Sequence, residues 1–144
     1  MTTKFQIAID VNWKKSRTWG HNPTAEVWAT LSGVRSDYGT GHASGCGYDK
    51  RSTAVCSALR DMPLMQTLMM WPKLNVDSDY GGLAAPVVNK RDYGYVLDFA
   101  GMGMRVFLNF MRKNGFDVVE MEGDTFNGYV LTRDMPESFV KMVA

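Results

Sequence analysis

Between Gly41 and Leu59 the chain reads GHASGCGYDKRSTAVCSAL, a glycine-rich loop that turns directly into a helix. Glycines 41, 45 and 47 allow positive φ or close approach by another group. Asp49 is placed to cap a helix beginning at Lys50, because its carboxylate can accept from the unpaired amides of the first turn. Ala54, Val55, Ala58, Leu59 and Met62 then recur at helical spacing, with Thr53, Ser57, Arg60 and Asp61 on the other side. Small residues at 54 and 58 suit close packing of this helix on a sheet. A loop of this kind can also hold an anion against amides and the helix dipole. Gly45, Gly47, Tyr48, Lys50 and Arg51 are the candidate ligand-binding residues on that view. The plainer alternative is that the glycines only turn a strand into a helix. The spacing is neither G-x-G-x-x-G nor a P-loop, so no named phosphate motif is present.

The chain before this joint alternates with period two. In Lys4–Trp13, Phe5, Ile7, Ile9 and Val11 point one way and Gln6, Ala8, Asp10 and Asn12 the other, the pattern of a half-buried strand. Lys14 to Arg17 form a basic turn, and Gly20 to Pro23 break the chain again. Thr24–Val34 repeats the alternation, with Ala25, Val27, Ala29 and Leu31 inward and Glu26, Trp28 and Thr30 outward. Trp28 on an outward phase is notable. With Trp13, Trp19, Lys14, Lys15 and Arg17 it interleaves aromatic and basic character, as on a surface that stacks bases or docks a partner. Trp13, Arg17, Trp19, Trp28 and His42 are the candidate partner-binding residues; the alternative places Trp28 beneath a neighbouring helix or loop. Arg35–Ala43 continues as a short third strand or hairpin.

Beyond the joint, Pro63 suits the first turn of a second short helix carrying Leu64, Met65, Leu68 and Met69 on one side. Trp71-Pro72 closes it. The run LMMW at 68–71 is apolar all round and is expected to be buried or to form an interface. Lys73–Gly94 has no clear period, although Val87-Val88 and Tyr95–Phe99 could each supply a strand. Met102–Asn114 reads as a helix stopped by Gly115. Phe116–Met121 and Phe126–Thr132 read as a hairpin around Glu122-Gly123-Asp124. Asp134-Met135-Pro136-Glu137 carries the marks of a helix start, with Asp134 as the cap. Strands, helices, then helix–hairpin–helix is an α+β order. It predicts a single domain over residues 1–144, with a mainly antiparallel sheet and helices packed on one face.

Composition narrows the function classes. An apolar content of 45% and a charged content of 22% are those of a folded chain rather than a disordered one. The net charge of +1 argues against a general polyanion binder. No apolar run is long enough to span a bilayer, and the first residues carry no signal-peptide core, so the expected setting is cytoplasmic with no membrane partner. Cys46 and Cys56 flank a helix start and make poor disulfide partners, which fits a reducing compartment. With two histidines and two cysteines at these spacings, neither a zinc site nor any other cofactor is indicated. Eleven methionines lean towards a binding surface.

The segment Ser44-Gly45-Cys46-Gly47-Tyr48-Asp49-Lys50, followed by Ser52, Ala54, Ala58 and Leu59, resembles a pattern found in small accessory proteins of phages and mobile elements. It covers about a tenth of the chain and implies a context rather than an activity. Ala54, Ala58 and Leu59 are also similar to the last helix of a double-stranded-RNA-binding domain. The lysine pair with which that family grips phosphate would fall near Gly47 and Tyr48 and is missing.

A Cys/His nucleophile site is conceivable at Cys46, beside Lys50 and Arg51 and four residues from His42. Against it, both side chains share one loop and no orienting acid is indicated, so catalysis is disfavoured. Glu120 and Glu122 flank a hairpin turn and read as solvated. The expectation is therefore a small non-catalytic binding protein of phage or mobile-element type that binds, and inhibits, a host defence factor. The alternative is a nucleotide or nucleic-acid binder or hydrolase using Gly41 to Arg51. A homodimer stays open.

Overall fold

The computed structural model describes residues 2–11, 24–43, 50–74, 87–91, 94–99, 103–123 and 125–144. Both N-terminal alternations are strands: β1 is Thr2–Val11 and β2 is Thr24–Leu31. They pair antiparallel with Ile7 opposite Ala29, which puts the apolar sets of both strands on one face. A turn at Ser32–Val34 follows, with Gly33 at φ 72°, and returns the chain as β3, Arg35–His42. The C-terminal hairpin is β6, Asp117–Glu122, and β7, Asn127–Pro136. β7 adds to the free side of β1, so the first strand is the middle of a five-stranded sheet ordered β3-β2-β1-β7-β6. Every pairing in it is antiparallel. Residues 87–98 contribute β4, Val87–Arg91, and β5, Gly94–Asp98, as a separate two-stranded hairpin.

Among the described residues four helices pack on one face of the large sheet: α1, Lys50–Arg60; α2, Pro63–Met70; α3, Met104–Lys113; and α4, Glu137–Val143. This is the expected α+β arrangement. The core between the layers holds Phe5, Ile7, Ile9, Val27, Leu31 and Leu131 from the sheet against Val55, Leu64, Leu68, Phe107 and Phe139 from the helices. Phe5 sits at its centre, 5.9 Å from the ring of Phe116 and 5.6 Å from that of Phe139. On the far side of the helices, the Cys56 thiol donates to the Leu97 carbonyl at 3.2 Å, tying β5 to α1.

α1 crosses β3 at close range, and glycine makes that crossing fit. A Cβ on Gly39 would stand 2.6 Å from the Ala58 carbonyl oxygen, and one on Gly41 would overlap the Ala54 carbonyl. Gly41 thus belongs to a strand rather than a loop, and its value is close approach, not positive φ. Ala54 and Ala58 are the opposing small residues, as their spacing suggested.

Helix ends differ more from sequence expectation than helix bodies. The start of α2 is capped from another element: the Asp37 carboxylate of β3 accepts from the Leu64 amide at 2.8 Å and from Arg35 Nε at 2.8 Å. α3 ends in a Schellman motif, with Gly115 at φ 86° and the Phe116 amide donating to the Met111 carbonyl at 3.0 Å. Asp134 is not a helix cap. β7 runs on through it to Pro136, with Asp134 opposite Lys4, and α4 begins at Glu137 without a side-chain cap. The extra ladder with β1 and the burial of Met135 on the core side outweigh the local cap signal. The LMMW run divides: Leu68, Met69 and Trp71 are buried, while Met70 is 51% exposed.

Candidate functional site

The helices cover one sheet face. Outward positions of the same strands are half-buried or exposed, and no described helix lies over them. Strand register places five of these positions in one line across the sheet. Tyr38 is opposite Trp28, Trp28 opposite Ala8, Ala8 opposite Val130, and Val130 opposite Val119. Each strand contributes one apolar side chain. Trp28 is 38% exposed, Tyr38 55% and Val119 56%, and Met121 lies next to Val119 on the same face of β6. An aligned, exposed row of this kind is unlike the singly scattered apolar residues of an ordinary surface.

The row is built, not incidental. The Trp28 and Tyr38 rings lie 5.4 Å apart at 41°, a contact that limits the freedom of both side chains before any partner arrives. Thr30 and Ser36 share a hydrogen bond of 2.9 Å one register step away. Their hydroxyls and the rings hold β3, an edge strand, on β2.

The sequence-derived candidates fall in different places. Trp28 is on the open face, as its phase implied. His42 is the last residue of β3, exposed and opposite Thr24. Trp13, Arg17, Trp19, Gly45, Gly47 and Tyr48 lie outside the described residues, as do Cys46 and Asp49. Lys50 opens α1 with its side chain outside the described part, and Arg51 follows in the first turn. Arg51 lines a cleft at the end of the sheet together with Glu120, Glu122, Asn127 and Tyr129. Two carboxylates in that cleft oppose an anion there, whatever the helix dipole contributes. Among the described residues no group of three or more His, Cys, Asp or Glu could hold a metal ion. No described helix is long and apolar enough to cross a membrane.

Tyr38, Val130, Val119 and Met121 were not among the sequence candidates, and Ala8 was read only as outward-facing. A signal for two of them was present: in Phe116–Met121, Val119 and Met121 share one phase of the strand, which leaves Val118 to the core. In β3 the phase is marked by glycine, since Gly39 and Gly41 face the helix and Tyr38 must face away.

Elsewhere, charge serves structure. Arg133 Nη1 donates to the Asn114 carbonyl at 2.7 Å, and its guanidinium stands 4.9 Å from the Trp71 ring centre. Burial lowers its pKa from the ordinary value, yet a guanidinium stays charged wherever the protein is folded. No known protein family, curated protein or solved structure matches this chain.

Proposed function

We propose that this is a small non-catalytic binding protein of the phage or mobile-element kind, which docks a host factor on the open face of its sheet and inhibits it by occupying it. The observation that carries this reading is the exposed row from Tyr38 through Trp28 to Val119. Aromatic residues at the centre of a patch are the usual source of binding energy in protein interfaces. The mobile-element context rests on the SGCGYDK segment alone. The alternative, an anion or nucleotide at the start of α1, is weakened by the acidic company of Arg51.

Affinity capture from host-cell lysate tests the reading, with wild type and a Trp28→Ala, Val119→Glu double variant immobilised side by side. A host protein retained by wild type and lost from a variant that still melts cooperatively supports docking on this face. Equal capture by both proteins removes the open face as the site.

A further inference from the structure

The docking reading leaves the partner's chemistry open, and the charges around the row narrow it. On one side of the row, Glu26 and Asp10 lie directly opposite each other across β2 and β1. On the other side, Asp117 stands at the β6 end. Lys4, opposite Asp134, is the one lysine or arginine among the described residues of this face. Register thus places two carboxylates, Glu26 and Asp10, side by side on one flank of the row. Asp10 Oδ1 does accept from the Asn127 amide at 3.2 Å, but Glu26 adds a second carboxylate beside it.

We infer that the open face receives a basic amphipathic helix of a partner protein, its apolar stripe on the row and its lysines or arginines against Glu26, Asp10 and Asp117. The proposal rests on the docking reading of this same face. Geometry supports a helix. The row runs across the strands with one apolar side chain about every 4.8 Å, and a helix offers one per turn, about every 5.4 Å. Five strands therefore match roughly four turns. Charge complementarity selects the partner. Nucleic acid would bring phosphates to the carboxylates that flank the row, and a second copy of this face would bring those carboxylates to one another. A cationic helix sets its charges against Glu26, Asp10 and Asp117, so attraction is gained on both flanks of the row.

The test uses the full chain and synthetic peptides of about 18 residues, enough to span the row as a helix. One is a Leu/Lys amphipathic helix, one has the same composition scrambled so that no leucine stripe forms, and one replaces lysine by glutamate. A short single-stranded oligonucleotide is the fourth probe. Fluorescence anisotropy should show binding of the Leu/Lys helix, with the scrambled and Leu/Glu peptides about tenfold weaker or worse. Trp28→Ala, and separately the Glu26→Lys, Asp117→Lys pair, should each weaken it about tenfold, with cooperative melts retained. Val119→Glu, at the sheet edge, serves if Trp28→Ala melts early.

Equal binding of the scrambled peptide, or no effect of these variants, overturns the inference. A Leu/Glu helix bound in a Trp28-dependent way overturns the basic partner and leaves the docking face standing. Trp28-dependent oligonucleotide binding, or Trp28-dependent self-association in sedimentation, overturns it in favour of the other occupants. Failure of every peptide overturns the helix, and the lysate capture then decides whether the face docks anything.

Discussion

Trp28 and Tyr38, on neighbouring strands and ten residues apart, hold their rings 5.4 Å from each other on the sheet face that the helices leave open. The pair is the aromatic end of a row whose other end is Val119. An outward tryptophan stacked on an outward tyrosine contributes to β2–β3 pairing, but it fills no core. Its removal should therefore affect binding more than folding.

Trp28→Ala is expected to lose about 1–2 kcal/mol of stability, the aromatic pair plus the part of the ring covered on the sheet, which for a chain of this length is about 2–8 °C in melting temperature. Phe5→Ala, at the centre of the core, should cost about 3–5 kcal/mol. Calorimetry on both variants checks the contrast. A Trp28→Ala protein as damaged as Phe5→Ala would place the tryptophan in the core after all.

Gly41→Ala is expected to destabilise by about 3 kcal/mol or more, because the new methyl meets backbone of α1 rather than a side chain that can move. Gly33→Ala has open space around it but a φ of 72°, so it should cost only about 1 kcal/mol. Urea unfolding of the two variants separates close approach from backbone strain. Similar losses at both sites would mean that α1 shifts to make room.

Asp37→Ala should cost about 1–2 kcal/mol through loss of the cap on α2. Asp37→Asn keeps an acceptor oxygen and should recover most of it. Amide exchange provides the local readout: the Leu64 amide should lose protection in the alanine variant and retain it in the asparagine one. Equal exchange in both would assign the effect to the Arg35–Asp37 ion pair instead.

The Cys56 thiol is buried and hydrogen-bonded to a β5 carbonyl. It should resist a thiol reagent in the native protein and react at full rate only in denaturant. Mass spectrometry of the labelled peptides distinguishes it from Cys46. Native labelling at Cys56 would show that the β4–β5 hairpin leaves α1 readily.

The bodies of the elements were legible because burial on one face writes its period into the sequence. The inward residues of β1 and β2, Phe5 to Val11 and Ala25 to Leu31, are the ones the alternation picked out. The α1 stripe and the stop of α3 at Gly115 were equally plain. The outward phase of Trp28 was visible too, but only the structure decided between an exposed ring and one beneath a neighbouring element.

What the sequence by itself determined is which residues face the core and, from their order, the α+β class. Those properties depend on neighbours one to four residues away, and periodicity records them. Tertiary structure alone decided how the strands lie beside one another. β7 joining β1 makes the first strand the centre of the sheet, extends β7 past Asp134 and turns a strong local cap signal into strand. The same register aligns Tyr38, Trp28, Ala8, Val130 and Val119. It also sets Glu26 against Asp10 and brings Asp37 to the amide of Leu64. Each of those pairings joins residues distant in the chain, and its energy comes from packing and hydrogen bonds that exist only once the sheet is closed and the helices are seated on it.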